Sequence, residues 1–396
     1  MSVVSQAKNL PSAPARTSAR RLDTACPPLE RPLMLLRAGL LLMSAALAAS
    51  LLATPHLAAS LPYVLMSAIG CAAAVAASYL PIRKPPSIKA VLIALLVCAG
   101  LFLLWTLLTA RWPVEKMGWL SAAYAALPSL RFSLIGLPEG LQPNQLGGVS
   151  AVFVGCALAV AFGKAGPPSP RGVRNAAWSL TLLGTAVVVM TGSRAALAGL
   201  LAAATLVLAL RDRHWLLLPV GLAAAIGVVQ AVSSPGFHAL LLNDEQVGTN
   251  IVSRLDIWAS SLHGMQDHLF TGIGLGVFNE VVPLRYPYET VGMAHSVSQA
   301  HNIFLDIGLS LGLPGLLAFL LLLASVGMMA YRAARYRASE CALFLALISS
   351  FSVFMVFGIT DSLGLSSPSS VVLWLWLVLF VYYYRSIFHS TSTSHS

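Results

Sequence analysis

Apolar residues in this chain gather into long runs, close to the length of about 20 residues that crosses a bilayer, instead of alternating with polar ones. Ten such runs occur, at residues 33–53, 62–80, 90–110, 145–163, 175–191, 195–210, 215–232, 302–330, 341–360 and 368–384. Lipid offers no partner for backbone N–H and C=O groups, so each run is expected to cross as a helix that satisfies its own backbone. The pattern predicts an all-α polytopic membrane protein of about ten transmembrane helices.

Composition agrees. The 396 residues are 57% hydrophobic and only 10% charged, whereas soluble domains carry about 25% charged residues. Mean hydropathy is +0.80. The net charge of +10 would suit nucleic acid in a soluble protein, but here it sorts by side, and no nucleic-acid partner is expected. With the N-terminus inside, 18 of the 24 Lys and Arg fall on the cytoplasmic side and six on the other, which takes ten of the 14 acids. Basic residues hold loops in the cytoplasm, so both termini are expected there. The five cysteines lie in or at apolar runs or in the N-terminal tail, a distribution that indicates neither a disulfide framework nor a zinc site.

The organisation that follows is a disordered cytoplasmic tail (1–31), seven spans with an outer segment at 111–144 (32–232), a large outer loop (233–301), three more spans (302–386) and a cytoplasmic tail (387–396). Trp374, Trp376, Tyr382 to Tyr384 and Arg385 near the last span's end read as an interfacial aromatic anchor. Within the large loop, Val252, Leu255, Trp258, Leu262, Met265 and Leu269 recur at steps of three and four. That spacing predicts one amphipathic helix, either flat on the membrane or packed across the helix tops. Gly272, Gly274 and Gly276 follow it. No strand precedes them and their spacing departs from the dinucleotide fingerprint, which leaves a flexible return toward the membrane or a backbone cradle for phosphate.

Candidate chemistry concentrates where the large loop meets the eighth run. His301 and Asn302 stand at that junction, and the run beyond them is long enough, at about 43 Å of helix, to raise its first turns above a hydrocarbon core of about 30 Å. Gly312 and the Pro314-Gly315 pair then mark a kink or a close helix contact. An imidazole at headgroup height suits proton transfer to or from a sugar hydroxyl, with capping of the helix as the alternative. Arg194 sits in a turn of a few residues between two runs on the same side as His301. It is either an anchor or an anion site, since a guanidinium grips phosphate with two parallel N–H bonds. Arg254 on the amphipathic helix offers the same chemistry, and Arg131 is a weaker third candidate. No Asp-x-Asp occurs, and the one adjacent acidic pair is Asp244-Glu245, so arginines are favoured over a metal for an anionic group, with no cofactor expected.

His301-Asn302, nine residues, Gly312, two residues and Gly315 form a spacing that resembles the signature of the O-antigen ligases, within the ligase and polymerase superfamily of bacterial envelope glycans. Pro143-Asn144, Ser193-Arg194-Ala195 and the stretch from Arg254 through Trp258 to the glycine turn resemble further landmarks of that family. The resemblance implies a GT-C-like, metal-independent, inverting glycosyltransferase in the inner membrane. Its donor would be an undecaprenyl-diphosphate-linked glycan and its acceptor lipid A-core, both meeting at the periplasmic face among membrane lipid. Carried over by position, His301 would be the catalytic histidine and Arg194 and Arg254 would bind diphosphate, while Asn302, Asn144, Gly312 and Gly315 would support them. The alternatives are a glycan polymerase of the same superfamily and a membrane transporter of an amphiphile.

Overall fold

The computed structural model of the chain describes residues 30–81, 87–110, 112, 120–127, 142–162, 171–211, 245–289, 297–335 and 342–393, with side chains from 252 onward in the helix that begins at 245 and up to 387 in the last helix. The described residues form helices, turns and extended connections, with no strand among them. The helices are α1 (Glu30–Ala53), α2 (Leu57–Tyr79), α3 (Ile88–Thr109), α4 (Ser121–Ala126), α5 (Pro143–Phe162), α6 (Arg171–Met190), α7 (Arg194–Arg211), α8 (Glu245–Asp267), α9 (Phe278–Arg285), α10 (Ile303–Arg335), α11 (Ala342–Thr360) and α12 (Ser370–Thr393). Among the described residues, eight are long and apolar enough to cross a membrane, namely α1, α2, α3, α5, α6, α10, α11 and α12, and α7 is a shorter apolar helix. The all-helical, multi-pass architecture expected from the apolar runs is therefore what the chain adopts. The predicted span 215–232 lies outside the described residues, as does most of the predicted tail before α1. The last helix continues to Thr393, past the predicted end of its span.

Two groups of helices pack side by side. In one, α5 is the axis and touches α3, α6, α7 and α11; in the other, α1 lies along α10 and α2, while α2 lies along α12. They meet where α11 contacts α10 and α12. The sequence of α5 explains its central place. Its glycines and alanines let neighbours approach closely, as small residues do in membrane bundles. A Cβ on Gly148 would strike the ring of Phe357 at 2.7 Å, and one on Gly155 would come within 3.1 Å of Val353. Serines on α11 then reach the backbone of α5, Ser349 Oγ donating to the Gly155 carbonyl (2.9 Å) and Ser350 Oγ to that of Val152 (3.0 Å). Long side chains such as Leu41, Leu101 and Leu182 point outward, where lipid meets them.

The C-terminal rings behave differently from the expected anchor. Trp374, Trp376, Tyr383 and Tyr384 are buried. Trp376 stacks between Phe351 and Phe380 at 4.9 and 5.0 Å and donates its indole N–H to the Leu347 carbonyl, while Trp374 fills the gap left by Gly70. These rings cement α12 to α2 and α11, because a large flat side chain gains more by packing on a neighbouring helix than by lying in the interface. Arg385 and Arg37 instead close the C-terminal end of α2, donating to the carbonyls of Ala77, Ser78 and Leu80.

The long helix α10 breaks at Gly312, where φ is 69° and ψ is −173°. The break frees carbonyls that would otherwise stay inside the helix. Leu309 O accepts from Ile273 N (2.9 Å), and Ser310 O accepts from Gly274 N (3.1 Å) and from Ser50 Oγ on α1 (2.8 Å). In return, Leu313 N donates to Leu269 O at 2.7 Å. The glycine turn after α8 is thus pinned backbone to backbone against the kink, which corrects the reading of a flexible return. Only glycine permits it: Gly272 has φ of 66°, and a Cβ there would collide with the Ser310 carbonyl.

A buried carboxylate holds His301 at the candidate active site

His301 sits immediately before α10 with φ of 51°, the one described non-glycine residue in the left-handed region. Such a conformation is costly and persists where the surroundings over-determine it. Here Asn302 supplies the restraint. Its Oδ1 caps α10, accepting from Phe304 N (3.0 Å) and Leu305 N (3.1 Å), and its Nδ2 donates to the Ile359 carbonyl at the end of α11 (3.0 Å). The helix cap is therefore Asn302, and the imidazole is directed elsewhere.

His301 Nδ1 lies 3.2 Å from Asp361 Oδ1. Asp361 is fully buried, and His301 keeps 21% of its side chain exposed. The same oxygen accepts from Gln299 Nε2 (2.7 Å) and from the Ser362 backbone N–H (2.9 Å). An oxygen that collects N–H groups in this way is acting as an acceptor, so Nδ1 carries a proton, and in the neutral ring Nε2 keeps the lone pair. The network extends outward. Gln145 at the start of α5 donates to Gln299 (3.4 Å) and accepts from Ser367 (3.4 Å), and Ser362 Oγ donates to Asp306 Oδ2 (3.1 Å). Asp306 is itself buried, in the first turn of α10, where the helix N-terminus favours a carboxylate.

Arg194 is the first residue of α7 and points outward. Its turn packs on α5: a Cβ on Gly147 would meet Thr191 Oγ1 at 2.5 Å and Ser193 Cβ at 3.1 Å. Since Gln145, two residues earlier, touches Gln299, the turn and the histidine network occupy the same end of the bundle. Arg254 is half-buried on α8. Ile257, one turn further on, belongs to a buried cluster with Val297 and Ala300, just before His301. Neither arginine has a hydrogen bond or ion pair to another described residue, whereas Arg37 and Arg385 do. Arg131 lies outside the described residues. Asn144 is half-buried, with no side-chain hydrogen bond among the described residues. Gly315 faces Leu311, one turn back. No group of three or more His, Cys, Asp or Glu converges among the described residues. Tyr286, beside α9, donates to Asp267 (2.8 Å), and burial together with that carboxylate raises its phenol above the ordinary range.

Residues 179–320 match the family model described as O-antigen ligase. Over these residues the chain is similar to the O-antigen ligase family. The matched stretch runs from within α6 to the part of α10 just past its kink, and so takes in Arg194, Arg254, the glycine turn, His301, Gly312 and Gly315. No curated protein matches the chain. The chemistry of that family is, in general terms, glycosyltransferase or ligase activity. Asp361, which holds His301, and Gln145, which bonds to Gln299 in the same network, fall outside the matched stretch. Sequence reasoning passed over Asp361, Gln299 and Gln145. One signal for Asp361 was available: it is the sole acid in a short polar break between two apolar runs, on the side of the membrane that carries His301.

Proposed function

We propose that this protein is an O-antigen ligase of the bacterial inner membrane, transferring a glycan from undecaprenyl diphosphate to lipid A-core at the periplasmic face. Both termini lie in the cytoplasm, and residues 233–301 lie in the periplasm, as the split of basic residues supports. The observation that carries the reading is the 3.2 Å contact between His301 Nδ1 and the buried Asp361 carboxylate, which leaves Nε2 free to act as a base.

In the reaction, His301 Nε2 takes the proton of the acceptor hydroxyl as that oxygen attacks the anomeric carbon from the side opposite the diphosphate. The new glycosidic bond forms while the sugar–phosphate bond breaks, and its electron pair stays on the diphosphate. Inversion follows from the in-line displacement. Arg194 and Arg254, with Arg131 as a third candidate, hold the leaving diphosphate through charge-assisted hydrogen bonds that strengthen as its charge grows. Asp361 stabilises the imidazolium formed at His301, as an acidic partner does in other acid–base pairs. The proton then leaves to solvent. No metal takes part in this scheme.

Purified protein given undecaprenyl-diphosphate glycan and lipid A-core should yield glycan-bearing lipid A-core with an inverted linkage. Extension of a second lipid-linked glycan instead would assign it as a polymerase, and transfer with neither acceptor would overturn the proposal.

A further inference from the structure

Four sides of α8 have four different surroundings. At about 100° per residue, Ile257, Ser260, Ser261 and Gly264 share one side, which is buried. It packs on the first half of α10, with Gly264 against Leu309. The opposite side carries Val252, Leu255, Leu262 and Leu269, all exposed, Leu255 to 56% and Leu262 to 46%. Asp256, His263 and Asp267 form one flank, and Arg254, Trp258 and Met265, all half-buried, form the other. The helix thus turns two serines and a glycine inward and its leucines outward, the reverse of what water would select.

The outward leucines continue a surface that already faces lipid. Leu269 O is bonded to Leu313 N, and the exposed Leu269 and Phe270 adjoin exposed Leu313, followed along α10 by exposed Leu317 and Leu320. Those three positions recur at helical spacing on a span long enough to cross a membrane. We infer that the Val252–Leu269 face of α8 is seated in the bilayer, in the leaflet nearest the His301 end. The acidic flank then faces water, and the Arg254 flank faces the headgroup layer. On this inference the two predicted placements, on the membrane and across the helix tops, belong to opposite sides of one helix. This inference needs only a membrane-spanning chain and is independent of the reaction proposed above.

The test uses the full-length protein with its five native cysteines replaced by alanine, shown to be monodisperse and reconstituted in nanodiscs of phosphatidylcholine and phosphatidylglycerol. Nitroxide labels on Leu255→Cys and Leu262→Cys should collide several-fold more with oxygen than with a water-soluble nickel chelate. Labels on Asp256→Cys and His263→Cys should show the reverse. Equal nickel access at 262 and 263 would overturn the inference in favour of water. Protection of 262 from both reagents would overturn it in favour of protein, either a second copy or another segment. A benzophenone side chain at Leu262 in the native-cysteine protein gives an independent reading: adducts to acyl chains are expected, and adducts to protein alone would refute the placement.

Discussion

The histidine and the arginines at the candidate site are held in opposite ways. His301 is fixed at every point, by a left-handed backbone, a capping neighbour in Asn302 and a buried carboxylate that itself has further donors. Arg194 and Arg254 have no polar partner among the described residues, although two arginines at the other end of the bundle are fully engaged with the end of α2. A proton-transferring group benefits from a fixed ring and a defined tautomer, because misplacement by about 1 Å is costly. A group that grips a substrate anion must keep its donors free until the anion arrives. The contrast fits a division of labour in which the histidine is organised by the protein and the arginines by the ligand.

The sharpest way to break that contrast is to disturb the fixed half. His301→Ala should lower turnover by about 10² to 10⁴ with donor affinity nearly unchanged. Asp361→Asn preserves shape but presents an amide to Nδ1, and a loss of about 10² or more is expected as the preferred tautomer is no longer enforced. Single-turnover rates and donor binding on folded protein decide the matter. Wild-type turnover in His301→Ala would leave the chemistry to diphosphate activation alone.

The next effect concerns the open half. Arg194→Lys and Arg254→Lys keep the charge and lose the two-pronged grip, so each should reduce single-turnover rate by about 10- to 100-fold while melting with the wild type. A purely anchoring arginine would instead lower the melting temperature together with activity.

These two halves were unequally legible in the sequence. Arg194, Arg254 and His301 stood out because a charged or titratable group beside a long apolar run is conspicuous, and the runs themselves foretold the helices. The partners of His301 were hidden by distance along the chain: Asp361 lies 60 residues away and Gln145 pairs with Gln299 across 154. Nothing in local spacing links such positions, since only the packing of α5, α10 and α11 brings them together. The α8 stripe was legible as a pattern but not in its direction. Periodicity gives the apolar face of a helix, and in a membrane protein that face can turn toward lipid as readily as toward the core.

A smaller effect tests the scaffold that carries both halves. Gly312→Ala places a Cβ 2.7 Å from Leu269 O at φ of 69°, and Gly272→Ala has the same conformational problem at the partner strand of backbone. Each should cost about 1–3 kcal/mol of stability, read as earlier thermal unfolding in detergent. Asn302→Ala should cost about 1 kcal/mol through the lost cap and should also slow turnover, since Asn302 fixes the backbone from which His301 projects. Undiminished activity in Asn302→Ala would show that the left-handed backbone is held by other contacts.

The smallest expected effect is none at all, and it bears on the open half alone. If free arginines meet the diphosphate, excess EDTA should leave the rate of transfer unchanged, because guanidinium groups supply the positive charge that a divalent cation would otherwise bring. A cation held for this purpose needs several oxygen ligands, commonly carboxylates. Near His301, Asp361 Oδ1 and Asp306 Oδ2 already accept hydrogen bonds from the protein, and no group of three or more His, Cys, Asp or Glu converges among the described residues. Those acceptors serve the imidazole and Ser362, on the fixed side of the comparison. Loss of transfer in EDTA with recovery on adding Mg²⁺ or Mn²⁺ would move the electrostatic role from Arg194 and Arg254 to a metal, and the milder losses foreseen for the lysine variants would then have to be explained by substrate positioning alone.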